Sequence, residues 1–204
     1  INMGYQQRLA KRRGIWTVPP SPFVSDRPCD QFVHTSFKYI CPHPDHRRAN
    51  YLTWLKTKNY FELHPDYFSM NEAGDREPKQ LCFGNPVLRR ELTRNIERHA
   101  ALAGEDNIIT LDAEDSPGEF CHCAECQKLV EKYQSPCGPI VDCLIELCES
   151  HPEVTFQTLA YRRDQSQKPP VLPDEGKLQP KLMVWFTNIE DCYFADWTHP
   201  DERM

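Results

Sequence analysis

Two acidic residues follow the most regular strand pattern of the chain. Residues 107–111 (Asn-Ile-Ile-Thr-Leu) predict a buried strand, and Glu114 and Asp115 lie just past its end. In α/β barrels the catalytic groups lie at the C-terminal ends of the strands. Carboxylates in such positions perform general acid/base chemistry, above all in the hydrolysis of glycosidic bonds. The alternative is that these acidic residues cap the helix or turn that follows, because Asp115-Ser-Pro favours a turn.

A second group of residues suited to chemistry is the CxCxxC run Cys121-His-Cys-Ala-Glu-Cys126. Its three thiolates can bind one metal ion, and zinc needs a fourth ligand, for which Cys82 at the end of the preceding predicted strand is a candidate. The alternatives are disulfides among Cys82, Cys121, Cys123 and Cys126, or a catalytic role for these thiols. If the run is extended, the side chain of His122 points away from the cysteines.

The other cysteines and histidines give weaker signals. The segment Cys41-Pro-His-Pro-Asp-His46 also has ligand-like spacing, although a solvated loop with incidental histidines is the preferred interpretation. Cys148 is predicted to be buried on the apolar face of a helix and inert. The chain has 10 Cys, a density that indicates disulfides, a metal site or both. We therefore expect an extracytoplasmic or secreted protein.

Strands and helices alternate along the part of the chain that must position these residues. The predicted strands are 80–83, 107–111, 154–161 and 181–187. The predicted helices are 5–13, 86–103 and 124–134, and a fourth begins at Ser135-Pro136. Asn85 is the predicted N-cap of the second helix. The fourth helix is expected to face the core with Ile140, Val141, Leu144, Ile145 and Cys148. Such alternation is typical of a parallel α/β sheet. Because 204 residues fall short of the roughly 250 of a complete barrel, we expect the first part of one.

Composition excludes some classes of protein. Hydrophobic residues make up 39% of the chain, which allows a packed core, and the net charge of -6 argues against a nucleic-acid-binding surface. No apolar run reaches the roughly 18 residues of a membrane span. The sequence begins without the apolar core of a signal peptide, so we expect a processed form or a part of a longer protein. Residues 17–50 read as a long loop whose aromatic content favours an ordered, functional segment.

Four stretches match one family pattern in order and spacing. They are Tyr60-Phe-Glu-Leu-His-Pro-Asp-Tyr-Phe-Ser69, Gln80-Leu-Cys-Phe-Gly-Asn-Pro86, Glu114-Asp-Ser-Pro-Gly-Glu-Phe-Cys-His-Cys-Ala-Glu-Cys126 and Thr158-Leu-Ala-Tyr161. In them the chain resembles a bacterial family of uncharacterised glycoside-hydrolase-like barrel domains, described as related to α-glucuronidases and β-hexosaminidases. The resemblance covers roughly three quarters of the chain, and it implies a (β/α)8 TIM-barrel-like fold, incomplete here, in an exported polysaccharide-degrading protein.

The resemblance also bears on the candidate residues. It places Asp115 on the family's strand-end acidic position, where the preceding residue is commonly Asn and is Glu114 here. Related hexosaminidase-type enzymes use such an adjacent pair, in which one carboxylate protonates the leaving oxygen and its neighbour orients an acetamido group. Cys82, Cys121, Cys123 and Cys126 fall on family cysteine positions. The resemblance implies that they form one unit, either a metal site or paired bridges.

These observations predict two domains and one leading function. Residues 1–50 form an N-terminal helix and a long Pro-rich loop that pack on the barrel, and residues 51–204 form the partial barrel. The domain hydrolyses a polysaccharide or glycan with Asp115 as acid or nucleophile/base and Glu114 as helper. The residues expected to line the sugar site are His34, Tyr161 and Trp185.

The predicted catalysis needs no cofactor, and the cysteines are expected to hold at most a structural zinc ion. Two other functions compete with hydrolysis. The first is a non-catalytic glycan-binding or scaffold domain with a structural cysteine cluster, because a fold does not fix a function. The second places the active centre at the cysteine cluster itself.

Overall fold

The computed structural model of the protein describes residues 34–40, 60–103, 108–116, 120–172 and 181–187. In chain order its elements are α1 (Ser36–Ile40), a 3-10 turn (Pro65–Tyr67), β1 (Phe68–Met70), β2 (Arg76–Leu81), α2 (Pro86–Ala103), β3 (Ile108–Thr110), α3 (Ala124–Tyr133), α4 (Gly138–Ser150), β4 (Thr155–Ala160), α5 (Arg163–Ser166) and β5 (Leu182–Phe186). None of these helices has the length and apolar character needed to cross a membrane. The helix predicted over 5–13 and the segment Cys41–His46 lie outside the described residues.

The sheet that carries the site consists of β3, β4 and β5, which pair in that order and run parallel. Parallel neighbours need a crossover connection, and α3 and α4 provide it between β3 and β4. The parallel pairing agrees with the alternation of strands and helices in the sequence. The described residues form no closed barrel, so the (β/α)8 barrel remains a prediction.

One face of this sheet packs against helices α2 and α4. The apolar stripe Leu88, Leu92 and Ile96 of α2 is completely buried, as its spacing predicts. The sheet contributes Ile109 and Phe156, which are paired in the β3–β4 register and belong to the same core. Complete burial of one such side chain stabilises the fold by about 1.5–3 kcal/mol, so the packing on this face contributes to the stability of the sheet.

Helix α4 differs in two details from the prediction. It begins at Gly138, three residues after Ser135, because residues 134–137 form a turn in which the Ser135 hydroxyl donates to the Lys168 carbonyl oxygen at 2.5 Å. Val141 and Ile145 are only partly buried, because they follow the buried Ile140 and Leu144 by one residue, or about 100° around the helix. Both line a cavity of about 740 Å³ between α4 and the edge of the sheet.

The start of α2 agrees with the prediction. The Asn85 side-chain oxygen accepts hydrogen bonds from the backbone N–H groups of Val87 at 2.8 Å and Leu88 at 3.2 Å. Pro86 occupies the first helical position, where a missing N–H costs nothing. The helix therefore begins where the sequence places its cap.

An antiparallel hairpin of β1 and β2 lies outside the parallel sheet. The strand predicted over 80–83 is only the end of β2, which begins at Arg76. Gly74 has a φ of 91° in the connecting turn, a conformation that favours glycine. The sequence signal for β2 is weak because its first residues, Arg76-Glu-Pro-Lys79, are polar and interrupted by proline.

Gly138 provides a test of the packing between α3 and α4. A Cβ at this position would lie 2.4 Å from the Leu129 carbonyl oxygen, so Gly138→Ala requires the two helices to separate. We expect a loss of about 1–3 kcal/mol in the free energy of unfolding, measured by urea denaturation. Gly74→Asn serves as control, because Gly74 has open space around it and Asn tolerates positive φ. Equal stability of Gly138→Ala and the wild type would contradict this packing.

Candidate functional site

Asp112 lies directly past β3 and is completely buried. Its Oδ2 accepts a hydrogen bond from the His34 backbone N–H at 3.1 Å. Its Oδ1 accepts from the Thr35 N–H at 2.8 Å and lies 2.7 Å from the Thr35 hydroxyl. Burial raises the pKa of Asp112, although the hydrogen bonds from Thr35 and His34 act against that rise. The carboxylate thus joins residues 34–35 to the end of the strand.

Glu114 has its carboxylate turned toward α1. Its Oε1 accepts hydrogen bonds from the Ser36 hydroxyl and the Phe37 N–H, both at 2.9 Å. These hydrogen bonds cap the start of α1. The sequence left open a capping role for Glu114, but at the helix or turn that follows it and not at a helix far away in the chain. Burial raises the pKa of Glu114 to about 7.

Gln80 of β2 fixes the backbone of Glu114. Its side-chain oxygen accepts the Glu114 N–H at 2.9 Å, and its side-chain amide donates to the Glu114 carbonyl oxygen at 2.8 Å. Gln80 is buried, so the pair of hydrogen bonds is shielded from water. The hairpin and the end of β3 are therefore held together at this residue.

His34 adopts a backbone conformation that residues other than glycine rarely take. Its φ is 57°, in the left-handed region, and the hydrogen bond from its N–H to Asp112 helps to hold it there. Its Nδ1 lies 2.9 Å from the Ala113 carbonyl oxygen, which fixes the proton on Nδ1. Strained residues of this kind cluster at functional sites, which makes His34 a candidate for one.

Asp115 is exposed, and Tyr161 links it to His34 at the C-terminal edge of the sheet. The Tyr161 hydroxyl, directly past β4, donates to Asp115 Oδ1 at 3.3 Å. The rings of His34 and Tyr161 make an edge contact with centroids 5.2 Å apart. Trp185 is paired in register with Leu159, so it lies on the face of the sheet to which Tyr161 also belongs. Of the predicted site residues, His34, Asp115 and Tyr161 are thus brought together.

The four predicted metal ligands converge at a second centre. Cys82 follows β2, Cys121 and Cys123 lie in the loop before α3, and Cys126 lies in its first turn. Cys82 Sγ lies 3.4 Å from Cys123 Sγ, 3.5 Å from Cys121 Sγ and 3.7 Å from Cys126 Sγ. All four sulfurs lie within 4.8 Å of one another, and three of the four residues are buried. The seven described cysteines form no disulfide.

The size and surroundings of this cysteine cluster fit a metal ion. A tetrahedral zinc site with Zn–S bonds of about 2.3 Å has sulfurs roughly 3.8 Å apart. Backbone N–H groups of Met70 and Gly84 point at Cys121 Sγ and Cys126 Sγ, at 3.2 and 3.3 Å. These donors stabilise negative sulfur, which a metal-bound thiolate requires. His122 is not one of the group, as the sequence predicts.

Gly84 is required for this close approach. A Cβ on Gly84 would lie 2.8 Å from the backbone nitrogen of Cys126 and 2.9 Å from its Sγ. Any larger residue would push the start of α3 away from the end of β2. The close packing of the cysteine cluster therefore requires glycine at position 84.

Metal binding to the cluster must displace protons from some of its thiols. Hydrogen bonds from the Cys126 and Cys82 thiols lower the pKa of Cys121. The hydrogen bond with Cys121 is the main cause that raises the pKa of Cys82 to about 12 and that of Cys126 still further. The hydrogen bonds among the sulfurs therefore favour the thiolate at Cys121 and the protonated thiol at Cys82 and Cys126. A divalent ion supplies the positive charge that lets those protons leave.

Sequence reasoning missed Thr35, Gln80 and Arg76. Thr35 and Gln80 contact the segment after β3 from positions 77 and 34 residues away, and no local pattern indicates such pairs. Arg76 lies 3.5 Å from Cys121 Sγ. The sequence does not indicate this contact, because Arg76 approaches the cysteines only through the β1–β2 hairpin.

The raised pKa of Glu114 gives a pH-dependent prediction. Because the folded protein holds a proton at Glu114 more tightly than the unfolded chain, the free energy of unfolding should fall as pH rises from about 4.5 to about 7. Glu114→Gln keeps an oxygen that accepts from Ser36 and Phe37 but cannot ionise. It should flatten this part of the curve, measured by urea unfolding between pH 4.5 and 8.

The control for this measurement is Glu153→Gln, at an exposed carboxylate before β4. It should leave the pH dependence unchanged. An unaltered slope in Glu114→Gln would show that Glu114 has an ordinary pKa in the folded protein. Asp112, whose pKa is also raised, contributes a slope of the same sign that both variants retain.

Comparison with known proteins places the chain in a family. Residues 30–202 match the family described as "Domain of unknown function (DUF4838)". No curated protein and no solved structure matches the chain. The match covers most of the sequence and includes both the strand-end residues and the cysteine cluster. The chain therefore belongs to the DUF4838 family.

Proposed function

We propose that this domain hydrolyses glycosidic bonds of a polysaccharide or glycan, with Asp115 as the reacting carboxylate. The observation that supports it is the exposed Asp115 side chain, which accepts a hydrogen bond from Tyr161 at the C-terminal edge of parallel strands. Parallel α/β sheets bind their ligands at this edge. The proposal keeps the predicted barrel as the complete fold and export as the expected destination.

The residues around Asp115 would share the work of binding and positioning. Tyr161 orients the carboxylate through its hydroxyl group, and the edge contact with His34 fixes the tyrosine ring. The rings of Tyr161, His34 and Trp185 supply surfaces on which a sugar can stack. A groove of about 430 Å³, lined mostly by polar residues, opens beside Ser116 and along the hairpin. A glycan chain could extend from the aromatic side into this groove.

Glu114 has a different part in this proposal. Its oxygen is already bound to Ser36 and Phe37, so it positions α1 and the preceding residue His34, whose ring contacts Tyr161. The adjacent acidic pair thus consists of one exposed reacting group and one partly buried positioning group. This division agrees with the opposite directions of neighbouring side chains in an extended segment.

The four cysteines are proposed to hold one structural zinc ion. Four thiolates close the coordination sphere, whereas a catalytic zinc site keeps one position open. When bound, the ion would supply a cross-link between the end of β2, the loop before α3 and the first turn of α3. That loop follows Asp115 in the chain, so the cross-link would limit how far the reacting carboxylate can move.

Asp115→Asn tests the hydrolytic proposal. Loss of the ionisable group should lower kcat/KM on a cleaved glycan by at least about a hundredfold, because acid/base catalysis contributes 10²–10⁴-fold. The substrate is found first with a broad glycan panel and the full-length protein. Glu153→Gln, which changes a carboxylate to an amide before β4 at the opposite edge of the sheet, should retain wild-type turnover.

Two results would count against hydrolysis at this site. Near-normal turnover in Asp115→Asn would remove Asp115 from the mechanism. Glycan retained in a pull-down without any product after long incubation would assign the domain to the glycan-binding class.

Cys126→Ser tests the zinc proposal. The wild type should contain about one zinc per chain, and the variant should contain almost none, since serine is a poor ligand. Zinc is measured by inductively coupled plasma mass spectrometry, together with urea unfolding. Cys148→Ser, at a buried cysteine outside the cluster, should keep the metal. Absence of zinc from the wild type together with loss of titratable thiols would favour disulfides instead.

A further inference from the structure

Arg76 extends from the first position of β2 to the cysteine cluster. Its Nη1 lies 3.5 Å from Cys121 Sγ and donates to the Phe68 carbonyl oxygen at 2.6 Å. The side chain thus bridges strand β1 and the sulfur of a proposed zinc ligand. Arg76 is partly buried, which limits the screening of its charge by water.

A centre of four thiolates and one zinc ion carries a net charge of about -2. Cys82, Cys121 and Cys126 are buried, so solvent does little to stabilise that charge. Backbone N–H groups offset part of it through dipoles, but a formal positive charge offsets more. The guanidinium group is weakly hydrated and permanently charged, which suits a partly buried counter-ion.

Other contacts attach the same hairpin to the cluster. The Met70 N–H, in β1, donates to Cys121 Sγ at 3.2 Å, and the Met70 carbonyl oxygen accepts the His122 N–H at 2.8 Å. With the Arg76 contacts, these hydrogen bonds fasten β1 to the loop that holds Cys121. The hairpin therefore depends on the position of that sulfur.

We propose that Arg76 is the counter-cation of the zinc centre and couples metal occupancy to the order of the β1–β2 hairpin. This inference rests on the zinc centre proposed above. Arg76 is a positioning residue here, since it acts on the metal through Cys121. Because the hairpin borders the groove beside Ser116, metal loss would also reshape that side of the candidate site.

Three variants of the full-length protein separate charge from packing. Arg76→Gln removes the cation, Arg76→Lys keeps it, and Lys79→Gln removes an exposed cation of the same strand that pairs with Glu77. Zinc affinity is measured by competition with a chromogenic chelator. We expect Arg76→Gln to bind zinc about 10–100-fold more weakly, the range found for outer-shell partners of metal ligands. Arg76→Lys should stay within roughly threefold of the wild type, and Lys79→Gln should equal it.

Two further readouts test the mechanism. In cobalt-substituted protein, loss of the cation raises the energy of the sulfur electrons, so the sulfur-to-cobalt charge-transfer bands of Arg76→Gln should move to longer wavelength. Amide hydrogen exchange over residues 68–81 should be slow in zinc-bound wild type and faster in both the metal-stripped protein and Arg76→Gln.

The outcomes distinguish this inference from the zinc proposal. If the wild type binds zinc and Arg76→Gln binds it equally well with unshifted cobalt bands, Arg76 is not the counter-cation, while the zinc centre stands. If the wild type binds no zinc, both proposals fail. Should Arg76→Gln be insoluble, Arg76→Lys decides, because a tenfold loss of affinity with the cation retained would overturn the charge argument.

Discussion

The buried carboxylate of Asp112 holds a segment 77 residues earlier in the chain across the C-terminal end of β3. Glu114 extends this attachment by capping α1, and the cysteine cluster anchors the same loop again at Cys121. Asp115 lies between the two anchors and is the exposed residue within the described stretch 111–116. The position of Asp115 is set by the hydrogen bonds of Asp112 and Glu114 on one side and by the cysteine cluster on the other. Loss of either set of contacts would change the shape of the site.

Both anchors place groups that prefer charge or water in buried or partly buried positions. Two carboxyl groups and a cluster of thiols are expensive to bury unless hydrogen bonds or opposite charges compensate them. Backbone N–H groups provide much of that compensation, from His34, Thr35 and Phe37 at one end and from Met70 and Gly84 at the other. A strained residue such as His34 persists only where its surroundings hold it in place, and this arrangement does so.

The sequence was sufficient for the longer helices, the parallel strands and the cysteines, but not for the hairpin or for α1, which lies within the predicted loop 17–50. The Asn85-Pro86 start of α2, its apolar stripe and the three parallel strands follow from local signals, and the CxCxxC run with Cys82 indicated one cluster. The hairpin was missed because Arg76-Glu-Pro-Lys79 lacks an apolar alternation. The separate roles of Glu114 and Asp115 depend on α1, which contacts them from far along the chain, so no local pattern could distinguish them.

The central claim is hydrolysis at Asp115. Its most direct test follows the oxygen atom of the attacking water into the product. A panel of glycans is incubated with the full-length protein in water enriched in ¹⁸O, and the products are analysed by mass spectrometry. Glycosidic hydrolysis transfers a water oxygen to the sugar, so each new reducing end should carry one ¹⁸O label, and Asp115→Asn should produce almost none. New chain ends without the label, or no new ends from any glycan, would contradict the account.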